Sequence, residues 1–297
     1  MSQFSKVSIL SLGLMGGSLA AALKQRNLAQ TIVGWGYREA SLEKALVKGY
    51  IDSYSLDLAE AVDGAEIVII CSPAKVAETV LLDVVRLASN DTIISDVASV
   101  KENLSHVLID AFGRVPANVV LAHPIAGSEN SGIDAANAQL YVDHNVILTP
   151  ANTSSNQAKQ KVTALWQAVG ANVSEMPVDE HDRILAGTSH LPHLLAFNMV
   201  GALAKLPTSH DVFKYAAGGL RDFTRIAASD PQMWAEIALT NKQAILNMMA
   251  MYHAEFQALV QEIETEDEQA LIERFRSAKA SRDHFSALLS KRHGSGV

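Results

Sequence analysis

Over residues 7–176 the chain alternates short β-branched runs with segments of helical period, and that alternation leaves few folds open. Residues 7–12, 31–35, 66–71 and 92–95 are short, rich in Val and Ile, and bounded by Gly, Ser, Asp or Pro, as buried strands are. Residues 15–25, 41–48 and 76–88 between them space Leu, Ala and Val as helices do. Strands joined by crossover helices pair in parallel, so this part is expected to form a doubly wound sheet covered on both faces. Residues 119–122 and 145–149 are expected to extend the sheet, and a helix at 156–169 leads to a last strand at 172–176.

After Pro177 no strand pattern is visible. Helices are expected at 179–187 and 193–204, and one long helix from 231 to about 262, with Asp230 as N-cap and Pro231 in its first turn. At ~1.5 Å per residue that helix would run on the order of 45 Å. Its apolar residues, among them Met233, Trp234, Ile237, Ile245 and Met249, occupy more than one face, so a homodimer through this helical part is expected. The division predicted is 1–177 for the α/β domain and 178–297 for an all-α substrate and dimerisation domain. Residues 292–297, rich in Gly and Ser, read as a linker or boundary.

Composition removes several function classes. Of 297 residues, 48% are hydrophobic and 19% charged, the balance of a globular protein. A net charge of −8 leaves no basic excess for nucleic acid. The one cysteine, Cys71, ends an apolar run, so no internal disulfide can form, a buried thiol is expected, and a reducing cytoplasm fits. No uninterrupted apolar run reaches the roughly 18 residues of a membrane helix, and the glycines at 13, 16 and 17 mark the first apolar stretch as fold rather than signal peptide.

Directly after the first expected strand stands Ser11-Leu12-Gly13-Leu14-Met15-Gly16-Gly17, opening a helix. A dinucleotide-binding loop uses glycines for its tight turn, for approach of backbone to pyrophosphate, and for helix–strand contact. Gly13 and Gly16 supply the second and third, while Ser11 replaces the first. The fold expected is therefore α/β, a Rossmann-like doubly wound parallel sheet followed by an all-α domain. The second strand runs into Gly36-Tyr37-Arg38, without the acid that grips a ribose 2′-hydroxyl in NAD sites. A cation at Arg38 suits a 2′-phosphate, so NADP is favoured over NAD.

Three constellations follow: Ser95-Asp96-Val97-Ala98-Ser99-Val100-Lys101; HPIAGSE at 123–129; and, in the helical part, SHLPH at 189–193 with GLRDFTRIAASDPQMW at 219–234. With these motifs the sequence resembles the prephenate/arogenate (cyclohexadienyl) dehydrogenase family of tyrosine biosynthesis, from residue 7 to about 251. The resemblance implies oxidation of the ring alcohol of prephenate or L-arogenate by NAD(P), with loss of CO2. That reaction needs a base of near-neutral pKa at the hydroxyl, and His123 on the sheet rim is the candidate.

The resemblance also implies that Ser99 orients this histidine and contacts the nicotinamide. By the same likeness Ser128 meets a substrate carboxylate, Glu129 and Asp222 gate the entrance, and His193 lines the ring-carboxylate side. Trp234 would reach the pocket from the neighbouring subunit, or else pack in a dimer core. Arg225 should fork onto the side-chain carboxylate, a task Lys performs poorly; its bland alternative is an i,i+3 surface pair with Asp222. Cofactor contacts are expected from Ser11, Gly13, Leu14, Met15, Gly16, Gly36, Tyr37, Arg38, Ser72, Pro73 and Ser99. Tyrosine, which resembles the substrate, becomes a candidate competitive inhibitor. His190 and His193 are three apart, yet Pro192 lies between them and neither HExxH nor a cysteine partner is present, so no metal is assigned. The competing readings are a β-hydroxyacid dehydrogenase and a non-catalytic NADP-binding protein.

Overall fold

In the computed structural model, residues 3–127, 130–207 and 211–293 are described. Five parallel strands form the first sheet: β1 (Phe4–Leu10), β2 (Ala29–Trp35), β3 (Ser53–Ser55), β4 (Ile67–Ile70) and β5 (Ile93–Asp96). Their order is β3-β2-β1-β4-β5, so the chain reverses its direction of travel between β1 and β4. That reversal opens a crevice at the C-terminal ends of β1 and β4, where α/β sheets take their ligands.

The strands obey the two-residue period. Val7 and Ile9 with Ile67 and Ile69 enter one core, and Leu10 with Val68 and Ile70 enters another on the opposite face. Helices α1 (Leu14–Gln25) and α2 (Glu39–Val47) cover the first face. Helices α3 (Leu58–Val62), α4 (Ala74–Leu87) and α5 (Glu102–Phe112) cover the second. With both faces buried, an apolar run such as that of β4 needs no polar alternation. The short β3, α3 and α5 were not among the elements expected. Cys71 is partly buried against the first core rather than sealed within it.

The expected extension of the sheet takes a different form. Strands β6 (Leu121–Pro124), β7 (Asn145–Thr149) and β8 (Asn172–Glu175) make a separate three-stranded sheet in which β6 runs antiparallel to β7. A parallel bridge between Ile94 and Val119 ties it to β5. Helix α6 (Asn156–Ala168), capped by the Ser155 hydroxyl, returns Val162, Leu165 and Trp166 to the first core.

Helices α7 (Val178–Leu185) and α8 (Leu191–Leu203) are continuous through a π-helical turn at Ala186–His190. A proline in a helix lacks its N–H and crowds the carbonyl four residues back, so the wide turn before Pro192 accommodates it without a break. Helix α9 (Gly218–Thr224) then precedes α10 (Pro231–Thr240) and α11 (Lys242–Glu264). The single long helix expected from 231 is thus divided at Asn241, whose side chain is drawn into the interior.

By its contacts the chain divides into residues 1–242 and 243–297. The second unit pairs α11 beyond Lys242 with α12 (Glu268–His293), and Arg274 forks onto Glu262 at 2.8 Å through both Nε and Nη2. Helix α12 was not expected, because its apolar residues are diluted around every side; Arg292 and His293 close it rather than forming a linker. Met251, Phe256, Val260, Ile263, Ile272 and Phe275 of this unit are exposed. No helix among the described residues is long and apolar enough to cross a membrane.

Candidate active site

The dinucleotide loop joins β1 to α1. Ser11 holds φ at 76°, the left-handed region that glycine enters freely, which explains why the usual residue there is glycine. Its N–H donates to the Trp35 carbonyl and its hydroxyl meets that of Ser72 at 2.8 Å, so local bonds compensate the strained backbone. A Cβ on Gly16 would lie 2.2 Å from the Ser11 carbonyl oxygen, so only glycine lets α1 approach the loop this closely. Above Gly13 the space is open.

The first turn of α1 has no side-chain cap and no acidic residue, and its N–H groups are therefore free to bind an anion. These features fit a pyrophosphate. Leu14 begins the helix and the Met15 carbonyl accepts from Tyr141 at 2.7 Å. Ser72 and Pro73 lead into α4 beside the loop. On the other flank Gly36 is buried, while Tyr37 is 72% exposed and stands edge-on to Trp35. Arg38 is exposed without a side-chain partner among the described residues; Glu39 is engaged by the Tyr54 hydroxyl at 3.3 Å.

His123 lies on β6, buried to 8% exposure. Its strand is held beside β5 by a buried ion pair: Lys101 Nζ donates to Asp96 and, at 2.8 Å, to the Ala122 carbonyl, while Asp96 accepts from the Ala122 N–H at 3.0 Å. Nδ1 of His123 is 2.9 Å from Nε2 of His181. His181 Nδ1 in turn donates to Asp182 Oδ1 at 2.7 Å. The Asp182 carboxylate also accepts the Lys101 and Glu102 N–H groups at the start of α5, at 3.0 and 2.8 Å. Nε2 of His123 has no partner among the described residues. Burial first, then His181, Lys101 and His190, holds the His123 pKa well below the ordinary histidine value, so the ring is neutral at pH 7. Neither His181 nor Asp182 was anticipated. Both stand in Glu180-His181-Asp182 near the start of α7, and nothing in their spacing announces a partner 58 residues away on β6.

The Asn241 amide donates to the Asp182 carbonyl at 2.9 Å and to His190 Nδ1 at 3.0 Å, which is why the helix breaks there. Nε2 of His190 and Nε1 of Trp234 are two buried donors without acceptors among the described residues. Trp234 stacks on His193 of its own chain at 3.8 Å between ring centroids, so no neighbouring subunit is needed to bring these rings together. His193 donates from Nδ1 to the Ser189 carbonyl, and burial foremost, with Arg225 adding, lowers its pKa.

Arg225 is exposed beyond His193 and has no ion-pair partner among the described residues. Asp222 bonds Arg221 at 3.1 Å, and the alternative pair with Arg225 is not formed. Ser99 is partly buried in the loop after β5 and makes no hydrogen bond to the His123 ring. Ser128 and Glu129 lie outside the described residues. Among the described residues no group of three or more His, Cys, Asp or Glu is arranged to hold a metal ion.

A glycine loop at the switch point of a parallel sheet, with a neutral imidazole on the adjoining rim, defines a dinucleotide-dependent dehydrogenase of Rossmann type. Residues 19–175 match the family model described as prephenate dehydrogenase, nucleotide-binding domain, and 177–277 the one described as prephenate dehydrogenase, dimerization domain. The chain belongs to the prephenate dehydrogenase family. It is 33% identical over 285 residues to the cyclohexadienyl dehydrogenase of Zymomonas mobilis, covering 95% of this chain and 96% of that one. The prephenate dehydrogenase of Bacillus subtilis is also 33% identical, over 93% of this chain and 75% of its own. Among solved structures, prephenate dehydrogenase from A. aeolicus in complex with hydroxyphenyl propionate and NAD+ superposes with a TM-score of 0.89 at 33% identity, covering 95% of this chain and 98% of that one.

Proposed function

We propose that the chain oxidises prephenate, L-arogenate or both with a nicotinamide dinucleotide, releasing CO2 to give 4-hydroxyphenylpyruvate or tyrosine. One observation carries this reading: His123 is neutral, held through Nδ1, and without an Nε2 partner among the described residues, on the rim of the sheet. That is the state required of a base for the ring hydroxyl. The dinucleotide, bound by the Ser11–Gly16 loop and the N-terminus of α1, supplies a hydride acceptor. Arg225, exposed and without an ion-pair partner among the described residues, forks onto the side-chain carboxylate, and Ser99 orients the hydroxyl toward His123. His193, Trp234, Ser128, Glu129 and Asp222 complete the substrate side. Once hydride and proton have left, collapse of the ring to an aromatic drives loss of CO2 without a further acid.

Arg38, with Glu39 occupied by Tyr54, favours a 2′-phosphate and therefore NADP. We place the functional division at 177/178 and assign the exposed apolar residues of 243–297 to pairing with a second copy. Tyrosine competes at Arg225. The test is a two-by-two comparison of kcat/KM, prephenate or arogenate with NAD or NADP, followed by absorbance of the reduced cofactor. Turnover with at least one substrate and a ratio favouring NADP are expected; no reduction with either substrate removes the reading.

A further inference from the structure

Resting on the assignment of His123 as the base, we propose that His181 and Asp182 are positioning residues that fix the tautomer of His123 and receive the positive charge that proton removal creates. The Asp182 carboxylate fixes one hydrogen of the chain. A carboxylate only accepts, and Asp182 already accepts two backbone N–H groups of α5, so the hydrogen between it and His181 belongs to His181 Nδ1. Taking that hydrogen as the one on the His181 ring, His181 Nε2 accepts, and the 2.9 Å contact makes His123 the donor through Nδ1. His123 is thereby locked with a bare Nε2, the nitrogen without a partner among the described residues.

The same chain decides where the proton comes to rest. As the C4–H pair leaves the substrate as hydride, the O–H pair becomes the second C–O bond and the proton passes to His123 Nε2. An imidazolium at His123 would be buried and close to the Lys101 ammonium, with Asp96 already committed to that lysine. Shifting the Nδ1 hydrogen of His123 to His181 Nε2 leaves His123 neutral and puts the cation on His181, 2.7 Å from the Asp182 carboxylate. After product leaves, His123 Nε2 releases its proton to water and the hydrogen returns from His181. His190, whose Nδ1 is engaged by Asn241, stands on the remaining side as a further titratable group and adds no acceptor. The Asp182 carboxylate keeps its two backbone N–H donors throughout, so the charge moves one residue and no further.

Two measurements test this. Correlation spectra of the unliganded protein labelled at histidine nitrogens, with His123 assigned through His123→Asn, should show His123 protonated on Nδ1 and bare at Nε2 at pH 7. A hydrogen on Nε2 overturns the proposal. His181→Gln can still accept from His123 Nδ1 but cannot take up a proton. We expect kcat to fall about 10- to 100-fold and KM to stay within about twofold, because the acceptor for the Nδ1 hydrogen can no longer take it up. An unchanged kcat, or a KM that changes as much as kcat, in a folded His181→Gln protein would also overturn it. The spectrum is read without substrate, so absence of turnover in the unaltered protein counts against the proposed reaction and not against the tautomer.

Discussion

On one side of the site, His123, His181, Asp182, Asp96 and Lys101 are buried and bonded to one another or to backbone. On the other, Arg225 and Arg38 stand at the surface with no side-chain partner among the described residues. The buried side is organised before any ligand arrives, at the cost of desolvating three charges and two rings; the exposed side keeps its cations hydrated. Proton transfer needs fixed atoms, and recognition of a diffusing anion needs accessible charge. The contrast predicts that substitutions on the buried side act on kcat or stability and those on the exposed side on KM.

The largest effect should come from His123→Asn. Loss of the base should lower kcat by about 100- to 10,000-fold while KM moves by no more than a few fold. Steady-state kinetics decide it, and a retained kcat would break the assignment.

Next is Lys101→Met, which leaves Asp96 buried without its cation. Breaking such a pair costs about 3–5 kcal/mol, to be read from the denaturant midpoint. Pairing Lys101→Met with Asp96→Asn should recover part of the loss, since the uncompensated charge is then gone. Equal losses in single and double variants would show that packing, not charge, dominates there.

On the exposed side, Arg225→Ala should raise KM about 10- to 100-fold, the value of one charge-assisted bond, with kcat changed less. Arg225→Lys should recover only part, since a point charge does not fork. A fall in kcat with KM unmoved would put Arg225 with the buried group and dissolve the comparison.

The two sides also differ in how far the sequence revealed them. Residues whose neighbours are local in sequence were readable: β1 with its glycine loop, the strands at 67–70 and 93–96, and the apolar faces of α1 and α4 follow from period and punctuation. His123 was readable because its motif is contiguous. Asp182 was not, since it caps α5 from 80 residues away and a tertiary cap leaves no pattern in either segment. Asn241 looked like one more residue in a long helix, and only its two bonds to Asp182 and His190 account for the break. The antiparallel turn of β6 was likewise hidden, because a short apolar strand reads the same in either direction. Arg225 was legible as a cation, but its freedom from Asp222 depended on Arg221 taking that carboxylate.

The smallest effect concerns acid stability and separates the two sides without substrate. Burial, with His181 and His193 adding and Asp182 opposing, lowers the His190 pKa from 6.5 to about 4, and His123 is displaced in the same direction. Between those values the unfolded chain binds protons that the folded chain refuses, so stability rises with pH over this range. The contribution is complete above about pH 6.5 and is lost as the pH falls toward 4. Melting temperature followed from pH 7 to 4.5 should drop, and His190→Gln should flatten that slope by a few degrees over the interval. Exposed Arg38→Ala should leave the slope unchanged, because that side chain is not among the charges acting on these histidines. If both variants flatten it equally, the acid sensitivity belongs to the whole molecule and not to the buried histidines.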